Sequence, residues 1–381
     1  MRPLIQVVLL FYLIIFIIDG FAQDSLTLRD STDFEFTVER TVKHTPVKSQ
    51  DSTGTCWVFS TLSYLESEML RMGKEEVDLS EMFVVRHLYP EKAMNYFRLH
   101  GRGTFGEGGL SHDVLASIEK YGIVPEIIYP GNKSPEGIHS HFEMVAILKA
   151  MLDAVISQKN EHRTVLWKNA FLAVLDSYLG QPPVEFVYKI KSYNPLTYSQ
   201  QYLDLDFTNY VELTSFLHHP YYQKFRLEIP DNWSYNSDYF NITLDELEAM
   251  VDFALQNGYS VVWDGDVGDE YYADKQKGYA TVPLDEPNKG IQEEKEITAE
   301  MRQEKFDSFE TTDDHLMHLV GTAHDQHGRK FYLVKDSWYA NTPYRGYIYL
   351  SRSYFRLKTI AIMVHKEGVP EQIKKKLDWK N

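Results

Sequence analysis

The spacing of apolar and polar residues predicts helices in the first third of the chain. Apolar side chains recur every three or four positions over residues 56–72, which is typical of an amphipathic helix with one buried face. The stretch "VDLSEMFVVRHLY" predicts a second helix with Ser80 as its N-cap. After the glycine-rich loop "GRGTFGEGGL" (101–110), "SHDVLASIEKYG" predicts a third helix, with Ser111 as its N-cap and Gly122 at its end.

The rest of the chain passes from helical to strand-like patterns. Residues 135–230 have an aromatic-rich helical pattern without a recognisable chemical motif, which indicates an insertion or subdomain. A helix is predicted over 243–258 with Thr243 as its N-cap, followed by the strand "YSVVWDGDV". The charged stretch 285–314 predicts a solvated helix and loop. Beyond it, "HLMHLVGTAHDQHGRKFYLVKDSWY" predicts strand, turn and strand, and "RGYIYLSR" predicts one more strand. Helices followed by strands favour an α+β fold of two lobes.

The first 22 residues have the pattern of a secretory signal peptide. Arg2 precedes an apolar run of about 15 residues, and Gly20-Phe21-Ala22 ends it with a small residue. An uncleaved N-terminal anchor is the alternative, although the run is at the short end for a membrane span. We therefore expect an exported protein, either periplasmic or secreted.

Charge and cysteine content narrow the classes of function. The 381 residues carry a formal net charge of −16, and the pI is about 5.3. An acidic chain without a basic stripe argues against nucleic acid and against an anionic membrane surface as partners. Cys56 is the only cysteine, so the chain forms no internal disulfide. Such a thiol in an exported protein makes an intermolecular bridge, reacts, or is buried as a small apolar side chain.

The residues around Cys56 favour a reactive thiol. The thiolate is the nucleophilic form of cysteine, and the partial positive charge at a helix N-terminus stabilises an anion. Cys56 opens the predicted helix, and Gly54 permits a close backbone approach. Acyl transfer also needs a base and hydrogen-bond donors for the developing oxyanion. The backbone N–H of Cys56 and the side-chain amide of Gln50 are available as these donors.

Three segments together resemble the papain-type cysteine peptidases. The stretch "QDSTGTCW" (50–57) is similar to the signature around the nucleophile of that family, with a mild departure at residues 51–53. In "DHLMHLVG" (314–321), the resemblance makes His315 the general base. In "LVKDSWY" (333–339), Trp338 matches the family's tryptophan, which shields the contact that orients the imidazole.

Two positions of the last segment differ from the family pattern. Asp336 stands where the family has the asparagine that orients the imidazole, and Tyr339 stands where it has a glycine. Aspartate orients a histidine and stabilises the imidazolium, which should raise the pKa of His315. The alternative is a degenerate site in a protein that only binds peptides.

The resemblance also implies substrate-binding residues and a branch of the family. Gly108 and Gly109 resemble the strand that pairs with the substrate chain, and Trp57 belongs to the cleft wall. The stretches "LASIEKYGIVPEIIYP" and "VVWDGDVG", with the long insertion between them, resemble the bleomycin hydrolase or aminopeptidase C group. Cys56 and His315 are separated by about 260 residues, which exceeds the spacing of a minimal papain-like enzyme.

This branch implies a papain-like two-lobed fold, with a helical lobe for the cysteine and an antiparallel, barrel-like lobe for the histidine. We predict a signal peptide (1–22), a helical lobe (23–130), a helical insertion (131–242), a strand-rich lobe (243–369) and a C-terminal tail (370–381). Members of the group form hexameric rings, and a homo-oligomer is a corresponding expectation here. In the group, the C-terminal arm enters the cleft and restricts attack to peptide N-termini; here Asn381 would supply its carboxylate.

The histidines around the second motif do not predict a metal site. His315 and His318 are three residues apart on a strand, so they point to opposite faces. His324 and His327 flank a turn and are interpreted as ordinary turn residues. We expect no metal and no organic cofactor.

Two kinds of function are compatible with the sequence. We expect an exported cysteine peptidase of peptide substrates, and an aminopeptidase in particular, in which Cys56 and His315 form a thiolate–imidazolium pair. Gln50 would stabilise the oxyanion, and Asp336 would orient His315. The alternatives are an endopeptidase of the same fold and a non-catalytic peptide-binding protein.

Overall fold

The computed structural model describes residues 34–268, 271–273, 277–285, 291–338 and 343–379. The predicted signal peptide, Tyr339 and Asn381 lie outside these residues. No helix in the described ranges is long and apolar enough to cross a bilayer.

Helices and strands are numbered here in chain order. The helices are α1 (Cys56–Arg71), α2 (Glu81–Arg98), α3 (Ser111–Tyr121), α4 (Phe142–Ser157), α5 (Trp167–Leu179), α6 (Pro195–Tyr198), α7 (Leu244–Gln256), α8 (Ala299–Asp307), α9 (Arg352–Lys358) and α10 (Glu371–Lys376). The strands are β1 (Thr37–Thr41), β2 (Phe186–Tyr188), β3 (Lys191–Tyr193), β4 (Tyr210–Thr214), β5 (Lys224–Phe225), β6 (Tyr239–Asn241), β7 (Val261–Gly265), β8 (Tyr272–Ala273), β9 (Tyr279–Ala280), β10 (His315–His324), β11 (Lys330–Lys335), β12 (Tyr347–Ser351) and β13 (Thr359–His365).

One mixed sheet contains eleven of the described strands. Its order is β5-β6-β4-β13-β7-β10-β11-β12-β9-β8, and β1 pairs with β10. Most neighbours are antiparallel, whereas β4 with β6 and β9 with β12 run parallel. The central strands β13, β7, β10 and β11 carry the longest ladders, so they form a rigid base for the residues at their ends.

Helix α1 lies against this sheet and is buried along almost its whole length. Trp57, Leu62 and Leu65 have no exposed surface, and they belong to an apolar core shared with α2 and α3. A second core lies between α7 and the other face of the central strands, around Trp263 and Val364. The first core therefore belongs to the helical part of the molecule, which carries Cys56, and the second belongs to the part built on the sheet.

Several predicted helix boundaries are confirmed and one is wrong. Ser80 caps α2, where its hydroxyl accepts from the N–H of Phe83, and Thr243 caps α7 in a capping box with Glu246. Ser111, predicted as the N-cap of α3, is instead its first helical residue. The start of α3 is fixed by the carboxylate of Asp113, which accepts from the N–H of Leu110 at 3.0 Å.

The helical pattern predicted for residues 135–230 holds only in its first part. Helices α4 and α5 are followed by a small β-hairpin, Phe186–Tyr193, and a short helical turn. The segment 210–241 then contributes β4, β5 and β6 to the main sheet. Several aromatic residues of this segment lie in strands and not in helices. The insertion predicted over 131–242 is therefore helical only in part.

Candidate active site

The loop before α1 holds Cys56 at the first helical position. The hydroxyl of Thr53 donates to the carbonyl of Gln50 at 2.8 Å and contacts the hydroxyl of Thr55 at 2.6 Å. The N–H of Gly54 donates to the carboxylate of Glu107 at 2.6 Å. These contacts fix the turn that leads into α1, and the helix dipole then favours negative charge on the sulfur of Cys56.

The sheet brings His315 to Cys56 from a distant part of the chain. His315 is the first residue of β10 and pairs with Gly265 of β7, at the edge where α1 begins. Burial alone lowers the pKa of His315, but the Cys56 thiolate and then Asp336 raise it to about 10. The imidazole is therefore protonated at neutral pH when the sulfur is ionised, and the two side chains are hydrogen-bonded.

Asp336 fixes the orientation of the imidazole. Its Oδ1 lies 2.8 Å from Nε2 of His315, and both side chains are almost fully buried. The N–H of Ser337 donates to the same oxygen at 2.7 Å. The ring of Trp338 stacks on the imidazole, with centroids 4.4 Å apart. Since Nε2 faces Asp336, Nδ1 is the ring nitrogen available to Cys56.

Gln50 lies in the same cluster and links the two halves of the site. Its N–H donates to the carbonyl of Ser337 at 2.7 Å, and its Oε1 accepts from the hydroxyl of Ser337 at 2.6 Å. Its Nε2 donates one hydrogen to the carbonyl of Thr53 at 2.5 Å. The second hydrogen of this amide remains for another acceptor, as an oxyanion donor requires.

The two glycines predicted to bind substrate line the other side of Cys56. A Cβ on Gly109 would come within 2.9 Å of the indole of Trp57, and a Cβ on Gly108 would come within 1.9 Å of Oδ2 of Asp231. The indole N–H of Trp57 donates to the carbonyl of Glu107 at 2.9 Å. A side chain at residue 109 would collide with the indole of Trp57, and one at residue 108 would require the carboxylate of Asp231 to move.

Three carboxylates near the site are absent from the sequence prediction. Asp264 lies on β7 opposite Leu316, Asp313 lies two residues before His315, and Asp231 contacts Gly108. Asp264 is only 3% exposed. A charged residue inside the apolar run "YSVVWDGDV" is the signal that would have identified it, because buried carboxylates without partners are rare.

The histidines outside this site occupy other roles. Nδ1 of His318 contacts the hydroxyl of Ser63 at 2.8 Å, and Nδ1 of His324 contacts the carbonyl of Asp325 at 3.1 Å. Within the described ranges, one group of potential metal-ligating side chains has its ligand atoms close enough to hold a metal ion: His218, His219 and Glu228. They are a surface cluster that the sequence analysis did not identify.

The arrangement suits nucleophilic acyl transfer. A sulfur at a helix N-terminus contacts an imidazole that a buried carboxylate orients, and an amide side chain stands beside them. The structure brings together all four residues predicted as catalytic: Gln50, Cys56, His315 and Asp336. Their roles in catalysis stay predictions.

Comparisons with known proteins agree with the resemblance seen in the sequence. A model of the Peptidase C1-like family matches residues 103–381. Aminopeptidase G of Lactobacillus delbrueckii subsp. lactis is 23% identical over 365 residues, covering 84% of this chain and 81% of that protein. Aminopeptidase C of Streptococcus thermophilus is 23% identical over 384 residues, covering 88% of this chain and 83% of that protein.

A solved structure has the same fold. The crystal structure of PepW from Lactobacillus rhamnosis hn001 matches with a TM-score of 0.71 at 19% identity, covering 90% of this chain and 84% of that chain. The predicted α+β, papain-like fold is confirmed, and so is the resemblance to the aminopeptidase C branch.

Proposed function

The chain belongs to the Peptidase C1-like family and is a cysteine-type peptidase, and on this premise we propose that it is an exported aminopeptidase. The observation that carries the catalytic part is the contact of His315 with both Cys56 and Asp336. Several relatives are named aminopeptidases, which supports removal of residues from peptide N-termini.

The reaction proceeds through an acyl-enzyme. The thiolate of Cys56 attacks the scissile carbonyl carbon, and the carbonyl oxygen becomes an oxyanion. The N–H of Cys56 and the free hydrogen of the Gln50 amide stabilise this oxyanion. The protonated Nδ1 of His315 gives its proton to the leaving amine, and the thioester remains on Cys56. His315 then takes a proton from water, and the hydroxide attacks the thioester carbon. The C–S bond breaks, the carboxylic acid leaves, and the Cys56 thiolate and protonated His315 are restored.

Asp336 and Trp338 keep the imidazole of His315 correctly oriented and stabilise its protonated form. The carboxylate of Asp336 accepts a hydrogen bond from Nε2–H of His315 and stabilises the imidazolium through both steps. The stacked indole of Trp338 covers the ring and keeps water from competing for this hydrogen bond. No step requires a metal or an organic cofactor.

The signal-peptide pattern in residues 1–22 supports export to a periplasm or the medium. The substrates are then peptides outside the cytoplasm. Outside the cytoplasm, activity depends on keeping the Cys56 thiol reduced, since its oxidation to a sulfenic acid prevents attack on the substrate carbonyl.

The hydrolysis of aminoacyl-aminomethylcoumarin substrates tests the proposal directly. The wild type should hydrolyse them, and Cys56→Ala should lower the rate by about 10⁴-fold or more, because the nucleophile is lost. Cys56→Ser provides the matched control, since it keeps a smaller, weaker nucleophile at the same place. A wild type that neither hydrolyses peptides nor reacts with an epoxysuccinyl inhibitor contradicts the proposal.

Alkylation separates the peptidase from a binding protein on the same scaffold. Iodoacetamide should modify Cys56 well below pH 8.5, about where a free thiol ionises, if the ion pair is present. An unreactive thiol with retained peptide affinity would identify the binding protein. Efficient cleavage of N-terminally blocked peptides would identify an endopeptidase instead.

A further inference from the structure

Three carboxylates surround one side of the Cys56–His315 pair. Asp264 lies on β7, where it pairs with Leu316 of β10, and Asp313 lies in the loop two residues before β10 begins. The carboxyl group of Asp313 contacts that of Asp264, and Asp264 lies within electrostatic reach of the Cys56 sulfur. The sheet therefore places two acidic groups beside the bond-breaking atoms.

Asp264 has no N–H or hydroxyl donor from the described residues to explain its burial. It is 3% exposed, and its hydrogen-bonding contact is with the carboxyl group of Asp313, which is itself acidic. Oδ2 of Asp313 likewise has no such donor among the described residues. Buried polar atoms in folded proteins normally have partners, so these oxygens indicate a ligand that supplies hydrogen-bond donors.

Asp231 closes the cluster from the opposite side. Its Oδ2 occupies the space beside Gly108, at 1.9 Å from where a Cβ would stand. Its own N–H donates to the carboxyl group of Asp313. The acidic groups thus span from the sheet to the glycine loop that borders Cys56.

The charges around the cluster leave it strongly acidic. Asp113 and Asp314 add negative charge beside it. Lys92 is within electrostatic reach of Asp231, although its Nζ donates to the backbone carbonyls of Gly106 and Gly108, and His112 lies 3.6 Å from Asp113. Among the described residues, no Lys, Arg or His side chain forms an ion pair with Asp264 or Asp313, which leaves these two carboxyl groups for a positive group of the substrate.

Protons occupy part of the cluster when no cation is present. Burial, followed by the neighbouring Asp313, raises the pKa of Asp264 well above its usual range. Burial and then Asp231 raise the pKa of Asp313 to about 7. A cation that enters this cluster favours the ionised carboxylates, so its binding should release protons near neutral pH.

We propose that Asp264, Asp313 and Asp231 form a subsite that binds a positively charged nitrogen of the peptide substrate next to the scissile bond. This inference rests on the proposed peptidase function. A substrate whose carbonyl carbon meets the Cys56 sulfur carries its α-nitrogen two bonds from that carbon. The N-terminal ammonium is therefore the occupant that the geometry favours, and a lysine or arginine side chain of a longer peptide shares its chemistry.

Substrate pairs that differ only in one charge test the subsite. Leu-aminomethylcoumarin and its N-acetyl derivative differ at the N-terminal ammonium. N-acetyl-Lys-Leu and N-acetyl-norleucyl-Leu derivatives differ only at a side-chain ammonium. The readout is the ratio of kcat/KM within each pair, for the wild type, Asp264→Asn, Asp313→Asn and the double variant. Asp204→Asn is the control, since it changes the net charge equally at an exposed side chain.

The wild type should prefer the free ammonium in the first pair by about 10- to 100-fold, the value of a charge-assisted hydrogen bond. The double variant should lose most of this preference, whereas Asp204→Asn should keep it. A larger effect in the second pair would assign the subsite to a basic side chain instead. In calorimetry, binding of leucine amide to Cys56→Ala protein should release protons, and this release should fall in the double variant.

The outcomes for the subsite and for the peptidase are separable. A double variant that keeps both ratios of the wild type while it hydrolyses the substrates overturns the subsite and leaves the peptidase standing. Equal losses on charged and neutral substrates assign a structural role to the acids and overturn the subsite as well. A wild type without any hydrolysis overturns the peptidase proposal itself.

Discussion

At the scale of single residues, Asp336 is the departure that most affects the chemistry. Asparagine at this position would orient the imidazole without adding charge, whereas Asp336 holds a carboxylate 2.8 Å from Nε2 of His315. The carboxylate is one of the two neighbours that raise the pKa of His315 to about 10, against the lowering effect of burial. The ion pair with Cys56 should therefore persist into alkaline solution.

Asp336→Asn should narrow the pH range of activity. The amide can still accept or donate at Nε2, but it no longer stabilises the imidazolium, so the pKa of His315 falls. The ion pair is lost when His315 deprotonates, and the alkaline limb of kcat/KM should move to lower pH by on the order of one unit. Profiles of kcat/KM from pH 5 to 11 check the shift, with Asp204→Asn as control. An unchanged alkaline limb would show that Asp336 only orients the ring.

At the scale of elements, the site depends on how α1 is fastened to β10 and β11. Nζ of Lys335 donates to the hydroxyls of Ser63 at 2.7 Å and Thr45 at 3.1 Å, in a buried polar network. Thr45 in turn donates to the buried carboxylate of Glu66 at 2.6 Å. This network joins the helix that carries Cys56 to the strands that carry the partners of Cys56.

Lys335→Met should lower the stability of the protein, because it removes the side chain that links α1 to β11. The change removes the donor to the buried hydroxyls of Ser63 and Thr45, while Glu66 keeps Lys48 at 3.5 Å, so the cost should be about 2 kcal/mol in the free energy of unfolding. Urea unfolding monitored by tryptophan fluorescence measures the loss. Lys149→Met, at an exposed i,i+4 pair with Asp153, is the matched control and should change stability by less than about 0.5 kcal/mol. Equal stability of both variants would mean that this buried network does not stabilise the packing of α1 against β10 and β11.

Local signals predicted the parts of the fold that depend on neighbouring residues. The helix that begins at Cys56 and the cap at Thr243 follow from spacing and capping chemistry within a few positions. The strands between Tyr210 and Asn241 were not predicted, since they are short and join the sheet through β4, which pairs with β13 more than a hundred residues later. The place of Asp264 in the site was not predicted either, because the register between β7 and β10 decides which residues surround it.

At the scale of the whole molecule, the last described residues of the tail pack back against α3 and the sheet. Ile373 and Leu377 of the tail are buried, and the ring of Trp379 packs edge-on against Phe240 with centroids 5.1 Å apart. Asp378 and Trp379 line a cleft of about 650 Å³ together with residues of α3, β4 and β6. The burial of Leu377 and the partial burial of Trp379 anchor the last described residues at this cleft.

The cleft of the tail and the acidic cluster are neighbours. Tyr239, whose pKa burial raises far above its usual range, lies within electrostatic reach of Glu212 in the cleft and of Asp264 and Asp313 in the cluster. If the tail contributes to recognition of the substrate ammonium, its effect should be coupled to that of the acidic cluster.

Removal of residues 378–381 should change which peptides the enzyme accepts. The truncated chain loses Asp378 and Trp379 from the lining of the cleft, so hydrolysis of N-acetyl-Leu-aminomethylcoumarin should rise relative to the free amine by about tenfold, or about 1.4 kcal/mol. Trp379→Ala is the matched control, because it keeps the terminal carboxylate and removes only the anchoring ring. If the tail and the acids bind the same ammonium, truncation combined with Asp264→Asn should change the ratio by less than the product of the two single effects. Independent effects would show that the tail acts only by filling space, and an unchanged ratio after truncation would exclude it from substrate selection.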